Sequence, residues 1–393
     1  MRDNSLIRYL LFGLLALLWI YGLYDLSHSE KQWDFKTYYF AAVAKAQGLD
    51  PYDTKVAEQL AGSQVKLSYV YPPLTLWFFR AFTVVSFDTA YLLYLILKVL
   101  ALVVLLFLWR RYLFDGEDDL LFLWFVTLAY SSTVYWDFVS GNIGLFEQLF
   151  FWLAVIGFLR KKLLLFTAAI VLISFFKLTM IVFLALPLLW DWRRAVRYLL
   201  GGTAVFLVYL WANYLIAPAE TNSFVSILRV IDERGEVYNH ALLPMFKDLF
   251  DKSEAAAFLN NLSGIFPILL YLCGIAVVAI ISWRAYQSFA KFSKGSAAIE
   301  AIYLACLVYA LAMPRMKSYS FILLLPATYH VLRKCVKPEA FLYLFIILSL
   351  TKWTPLPVPD FVRFLWWYFP WFAALLTWIL YVRFLRQPDS VKN

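Results

Sequence analysis

The sequence contains few of the residues on which metal and disulfide chemistry depend. It has three histidines and three cysteines in 393 residues. No HExxH pattern and no paired His-Asp spacing is present, and we therefore expect neither a catalytic metal nor a cofactor. Cys273, Cys306 and Cys335 lie in or beside apolar runs, where we interpret them as small apolar residues. Glycine-rich phosphate loops and nucleophile elbows are also absent, which argues against nucleotide and serine hydrolysis.

Charged residues are scarce as well. They make up 16% of the chain against 63% apolar residues, and the mean hydropathy is +0.71. A soluble domain of this length would not tolerate that composition, so the sequence predicts an all-α polytopic membrane protein. The formal net charge of +9 resides mostly in short basic clusters at the ends of apolar runs. That placement fits the positive-inside rule better than a nucleic-acid surface.

Apolar stretches long enough to cross a membrane recur along the whole chain. Apolar length and flanking charge predict about eleven to thirteen crossings in one membrane domain, residues 1–393. Two long polar loops, residues 25–70 and 218–263, interrupt them. The predicted crossings lie near residues 5–24, 72–87, 88–110, 119–138, 143–160, 163–190, 195–217, 264–283, 298–313, 318–333, 338–351 and 364–386.

The basic clusters predict the orientation of the chain in an inner (plasma) membrane. With residues 1–8 inside, the loop 25–70 faces outward, and so does a turn at Lys177 that divides 163–190 into two half-helices. The pair Arg110-Arg111 does not fit, because simple alternation places it outside. The topology between residues 88 and 143 is therefore open.

The loop 25–70 carries the first candidate for chemistry, Asp34. Phe35, Tyr38 and Tyr39 recur after it at helical spacing, which predicts an amphipathic helix lying on the membrane. A carboxylate at the start of that helix is either an N-cap or a general base, and the sequence leaves both interpretations open. The segment YVYPPLTLW, with Tyr71, then predicts a helix that begins at two prolines.

Three later segments carry further polar candidates. SGNIGLFEQ holds Asn142 and Glu147, and FFKLTM holds Lys177. Glu147 and Lys177 are candidates for a direct role in the site. The alternatives are that Glu147 only pairs with a basic neighbour and that Lys177 only snorkels. VYNHALLPMFKDLF holds His240, either a proton carrier or ligand or a solvated loop residue. AMPRMKSYSF breaks an apolar run with two cations, Arg315 and Lys317. If this turn faces outward, the two cations suit a lipid phosphate, and if it faces inward, they are ordinary membrane anchors.

The order of these segments resembles the GT-C membrane glycosyltransferases. The pattern D-x-x-x-Y-Y…G-x-x-P-Y-D, then Y-x-Y-P-P-L, G-N and F-K-L-T is more narrowly similar to glycosyltransferase family 87, the polyprenol-phosphate-mannose-dependent mannosyltransferase type. The resemblance covers mainly residues 33–190. It implies a GT-C bundle that transfers a hexose, with inversion, from a polyprenyl-phosphate carrier to a lipid or glycan acceptor on the outer face.

The resemblance also assigns roles to residues. Asp34 matches the first-loop aspartate that serves as general base, and cations would stabilise the departing lipid phosphate. The chain has Gly141-Asn142 where the family often has Gly-Gln, and it lacks the histidines of a P-x-x-W-x-H-H-like segment at 314–319, which weakens the case for mannose. The substrate-binding residues that we predict are Tyr38, Tyr39, Tyr71, Asn142, Glu147, Lys177, His240, Arg315, Lys317 and Tyr319.

Two other classes of function fit parts of the sequence. A transporter or flippase for lipid-linked sugars would place Arg80, Lys98 and Glu147 along a continuous path. An O-antigen-ligase or polymerase-like enzyme would place its chemistry near Arg229, Arg234 and His240. The sequence gives neither the sugar nor the acceptor.

Overall fold

The computed structural model describes residues 5–28, 31–116, 118–235, 239–251, 265–292, 297–335, 337–348 and 359–386. Most of this described part is helical, which confirms the predicted fold class. One isolated β-bridge joins Asn239 and Lys317. Parts of the predicted loops and crossings, at residues 236–238, 252–264 and 349–351, lie outside the described residues.

The α-helices, in chain order, are α1 Ser5–His28, α2 Trp33–Ala46, α3 Thr54–Ala61, α4 Leu76–Arg80, α5 Phe87–Tyr112, α6 Asp119–Ser140, α7 Gly144–Leu159, α8 Leu163–Ser174, α9 Trp192–Ile216, α10 Pro218–Val230, α11 Leu242–Asp251, α12 Phe266–Phe292, α13 Ala297–Ala312, α14 Leu325–Lys334, α15 Lys337–Ile347, α16 Asp360–Trp367 and α17 Phe369–Arg386.

Several helices are long and apolar enough to cross a membrane, as a polytopic protein requires. By length and composition, four spans of the described residues qualify, and up to six if the bent pairs α6–α7 and α16–α17 each count as one. These four begin at Ser5, Phe87, Trp192 and Phe266. The predicted eleven to thirteen crossings exceed this number, because several apolar runs form shorter helices such as α8.

The predicted crossing at residues 72–87 is wrong. The chain there forms a 3₁₀-helix at Pro73–Thr75, the five-residue α4 and a second 3₁₀-helix at Ala81–Val84, which is too short for a membrane span. The prolines do begin this helical segment, as expected. Val85 is extended, and the next long helix starts only at Phe87.

This correction explains the position of Arg110-Arg111, because without a crossing at 72–87 simple alternation no longer places this pair outside. The Tyr112 hydroxyl at the end of α5 accepts a hydrogen bond of 3.0 Å from Arg160, at the end of α7. Arg8, near the start of α1, pairs with Asp118 at 3.0 Å in the connection that follows α5. The basic end of α5 therefore lies beside the basic ends of α1 and α7.

Contacts within the chain divide it into two compact units. The first consists of residues 1–120 and 135–231, and the second of residues 121–134 and 232–393. Both boundaries of the segment 121–134 fall inside α6. Within this segment the backbone leaves the helical conformation, and three consecutive residues have positive φ, namely Tyr130, Ser131 and Ser132.

In the first unit, α2 forms where the sequence predicts it, but its side chains are mostly buried. Phe35 stacks on Tyr94 of α5 with ring centroids 4.2 Å apart, and Tyr38 packs on Phe79 of α4 at 4.6 Å. Protein therefore surrounds much of this helix, which does not lie on a membrane surface with one face exposed. The predicted break at Lys177 is confirmed, because α8 ends at Ser174 and a 3₁₀-helix, Leu178–Leu189, follows.

Candidate functional site

The loop between α6 and α7, residues 141–143, and the end of α6 contact the residues at the start of α2. Gly141 has a φ of +69°, and a Cβ at this position would lie 2.6 Å from Gln32 Cβ and 2.9 Å from Gln32 Cα. The Gln32 backbone N–H donates to the Val139 carbonyl at 2.7 Å. Only glycine fits this conformation and this close approach, so the Gly141-Asn142 pair has a structural reason that the sequence does not reveal.

Asn142 connects that loop to Asp34. Its side-chain amide donates to Asp34 Oδ2 at 2.7 Å and to the Tyr38 hydroxyl at 2.9 Å. Asp34 is the second residue of α2 and only 6% exposed, while Gln32 occupies the N-cap position. The carboxylate is therefore not the N-cap, although it lies in the first turn, where the partial positive charge of a helix stabilises an anion.

Tyrosine hydroxyls extend the network from Tyr38. The Tyr38 and Tyr71 hydroxyls are 3.1 Å apart, and Tyr52 donates to the Tyr71 carbonyl at 2.6 Å. Burial raises the pKa of Tyr52, which keeps its hydroxyl neutral and able to donate. The Tyr39 hydroxyl instead donates to the Val85 carbonyl at 2.8 Å, so the structure gives it a packing contact away from Asn142.

Behind the loop lies an ion pair, Lys98 and Asp137, that is not among the predicted site residues. Lys98 Nζ is 2.6 Å from Asp137 Oδ2, and both side chains are fully buried. Lys98 also donates to the backbone carbonyls of Asp137 at 2.5 Å and Asn142 at 2.7 Å. A lysine in the middle of the apolar 26-residue α5 was the available signal, since such charges seldom occur without a partner.

Glu147 and Lys177 form a second pair in the first unit. Lys177 Nζ lies 3.4 Å from Glu147 Oε2, and their side chains are 22% and 8% exposed. The structure therefore gives Glu147 the basic partner that one alternative expected, and that partner is Lys177 at the helix break.

In the second unit, both predicted phosphate-binding cations contact one carboxylate, Glu233. Arg315 reaches it with two nitrogens, at 2.6 and 3.1 Å, and Lys317 Nζ lies 2.7 Å away. Burial opposes ionisation of Glu233, but these two cations lower the pKa of its carboxyl below the ordinary value. Glu233 is distant from both cations along the chain and is not among the predicted site residues.

His240 lies beside this turn and is fully buried, so it is not a solvated loop residue. Its Nε2 is 2.8 Å from the Ser318 hydroxyl, its Nδ1 contacts the Trp367 carbonyl, and its backbone N–H donates to Met316 at 2.9 Å. Neighbouring Asn239 accepts from the Met316 N–H at 3.0 Å. Tyr319 is half-buried and lies in the 3₁₀-helix Ser318–Leu324 that follows the turn.

The structure thus gathers the predicted residues into separate groups. Asp34, Tyr38, Tyr71 and Asn142 form one hydrogen-bonded network in the first unit. In the second unit, Arg315 and Lys317 share Glu233. Among the described residues, no three or more His, Cys, Asp or Glu side chains are arranged to hold a metal ion.

Comparison with known proteins gives one match. A family model described as Glycosyltransferase family 87 matches residues 69–314, which is more than half of the chain. The matched range includes Tyr71, Asn142 and Lys177, and it begins after Asp34. A search of curated proteins and a search of solved structures found no match.

Proposed function

The chain belongs to glycosyltransferase family 87, and from this premise we propose that it transfers a mannose-like hexose from a polyprenyl-phosphate donor to a lipid or glycan acceptor. It is a GT-C-type membrane glycosyltransferase. In our proposal the reaction takes place at the outer face of the inner (plasma) membrane, where a lipid phosphate and a hydroxyl acceptor both reach the boundary with water.

The observation that supports this proposal best is the carboxylate of Asp34, which Asn142 orients within a network of tyrosine hydroxyls. A general base must be held within hydrogen-bond reach of the proton that it removes. Tyr38 and Tyr71 add neutral hydroxyl groups, which suit the hydroxyls of a sugar or an acceptor.

The proposed reaction is a single displacement. Asp34 takes the proton of the acceptor hydroxyl while that oxygen bonds to the anomeric carbon of the donor sugar. The bond from this carbon to the phosphate oxygen breaks on the opposite face, and the polyprenyl phosphate leaves with the electron pair. The configuration at the anomeric carbon is thereby inverted.

Cations would stabilise the charge that develops on the leaving phosphate. Lys177 is the candidate in the first unit, where it and Glu147 are 3.4 Å apart. Arg315 and Lys317, in the second unit, stay predicted phosphate contacts, and a phosphate that binds there would compete with Glu233 for them. Arginine is well suited to contact a phosphate, because its guanidinium group binds a phosphate through two hydrogen bonds.

Substitution of the proposed base is the first test. We expect Asp34→Asn to lower transfer of radiolabelled hexose from polyprenyl-phosphate-hexose into membrane extract by about 10²-fold or more, with folding retained. The matched control is Asp53→Asn in the same loop. Asp53 is exposed and caps α3 by accepting from the Lys55 N–H, a role that asparagine also fills.

Transfer by the control and not by Asp34→Asn would support the assignment. Undiminished transfer by Asp34→Asn would show that another group is the base. If the wild type transferred nothing although donor and acceptor were supplied, and instead exported the lipid-linked sugar unchanged, the transporter alternative would replace this proposal.

A further inference from the structure

The buried pair of Lys98 and Asp137 lies directly behind the loop that presents Asn142. An ionic pair inside an apolar helix bundle contributes little net stability, because the cost of removing two charges from water offsets much of their attraction. Both side chains are completely buried, so they are not placed to contact a substrate directly. Their position relative to Asn142 offers another role.

The backbone carbonyl of Asn142 receives hydrogen bonds from two residues of α5. Lys98 Nζ donates at 2.7 Å and the Tyr94 hydroxyl donates at 3.2 Å. The same ammonium group also binds Asp137, at its carboxylate and at its carbonyl. Because Lys98 and Tyr94 are one helical turn apart, they face the carbonyl together.

Asn142 is fixed from the other side as well. Its backbone N–H points to the Asp137 carbonyl at 3.3 Å and to the Ser140 hydroxyl at 3.2 Å. With both backbone groups held, the side-chain amide has a defined direction, and it reaches Asp34 at 2.7 Å. A continuous chain of contacts therefore runs from α5 through Asn142 to the carboxylate.

We propose that Lys98, Asp137 and Tyr94 are positioning residues, which hold the Asn142 backbone so that its amide fixes the carboxylate of Asp34. This inference rests on the proposed function of Asp34 as general base. It adds a group of buried residues that act through Asn142 and do not touch the substrate. Small displacements of a base lower the rate of the chemical step more than they lower substrate binding.

Tyr94→Phe is the variant that tests this role without leaving a buried charge unpaired. We expect it to lower kcat about 3- to 10-fold, corresponding to one hydrogen bond, while KM for the donor stays unchanged. Tyr91→Phe is the matched control, because Tyr91 is a buried tyrosine of the same helix whose hydroxyl donates to the Leu26 carbonyl. The control should keep the wild-type kcat.

A double-mutant cycle separates positioning from general destabilisation. In an Asn142→Ala background, we expect Tyr94→Phe to change kcat less than about 2-fold, because the amide that it positions is gone. Lys98→Gln should behave in the same way with a larger effect, although it leaves Asp137 unpaired and can prevent folding. If Lys98→Gln does not fold, the cycle with Tyr94→Phe alone tests the positioning role.

The positioning role would be overturned by an equal loss of kcat from Tyr94→Phe in both backgrounds, or by a change in KM alone. The outcome for Asp34→Asn distinguishes the two proposals. If that variant abolishes transfer while the cycle shows no coupling, only the positioning role is wrong. If Asp34→Asn keeps full transfer, both proposals are wrong.

Discussion

At the scale of single residues, Gly141 determines how α2 meets the loop that carries Asn142. Its φ of +69° is strained for any other residue, and the space for a Cβ is occupied by Gln32. A side chain here would therefore separate Gln32 from the loop, and with it move Asp34 away from Asn142.

We expect Gly141→Ala to reduce the free energy of unfolding by about 2–5 kcal/mol, as the sum of backbone strain and overpacking. Transfer activity should fall as well, because Asn142 shifts relative to Asp34. The measurements are thermal unfolding in detergent and the transfer assay.

Gly62→Ala is the control for backbone strain alone. Gly62 has a φ of +62° at the end of α3, and a Cβ there would meet no atom within 4 Å. We expect it to lose only about 1–2 kcal/mol and to keep its activity. Equal losses in the two variants would mean that contact with Gln32 has no importance.

Residue types in the sequence predict some site members and not others. Asp34, Tyr38, Tyr71 and Asn142 are predicted as site residues, and the structure joins them in one network. Asp137 and Glu233 give no such signal, because each acquires its partner from a segment distant along the chain, which composition and spacing do not indicate.

At the scale of elements, the segment that follows α10 pairs with the turn that follows α13. Asn239 forms the β-bridge with Lys317, and Glu233 contacts both cations of the turn. The pKa of Glu233 is lowered, so its carboxylate contributes stability that is complete above the ordinary glutamate pKa. That contribution is lost as the pH falls through the lowered value.

We therefore expect Glu233→Gln to destabilise the second unit by about 1–3 kcal/mol at pH 7. The difference in melting temperature from wild type should shrink as the pH falls below the glutamate range, because the wild-type carboxylate then becomes protonated. Melting curves of both proteins between neutral and strongly acidic pH measure this difference.

The control is Asp232→Asn, which removes the neighbouring carboxylate. Asp232 contacts Arg234 and Lys247 and not the cations of the turn. If Glu233 holds the turn, trypsin should cut after Lys317 faster in Glu233→Gln than in Asp232→Asn. Equal cleavage in the two variants would contradict the role of Glu233 in holding the turn.

Periodicity and flanking charge predict the elements unevenly. They predict α1, α2 and the break at Lys177, because helical spacing, apolar length and a central charge are local features. They fail at residues 72–87, where the apolar content suggests a crossing but the chain forms only short helical turns after two prolines. The burial of α2 also could not be predicted, because it depends on aromatic partners from α4 and α5.

At the scale of the whole molecule, the first unit has two chemically different ends. Asp34 and Asn142 lie where α7 begins, and Arg160 follows its last residue. The 16 residues of α7 rise about 24 Å, which is most of a hydrocarbon core. The division between units has no linker signal in the sequence, because residues 121–134 lie inside an apolar helix.

The positive-inside rule then gives a prediction for the membrane-embedded protein. Since Arg160, Arg8 and the end of α5 share one end of the unit, we expect that end to face the cytoplasm and Asp34 to face outward. In a chain whose three cysteines are replaced by alanine, Gln64→Cys should react with a membrane-impermeant maleimide in intact cells. Lys162→Cys, at a position that is also exposed, should react only after the membrane is opened. Labelling of Lys162→Cys but not Gln64→Cys in intact cells would reverse the orientation, and the donor would then have to reach Asp34 from the cytoplasm.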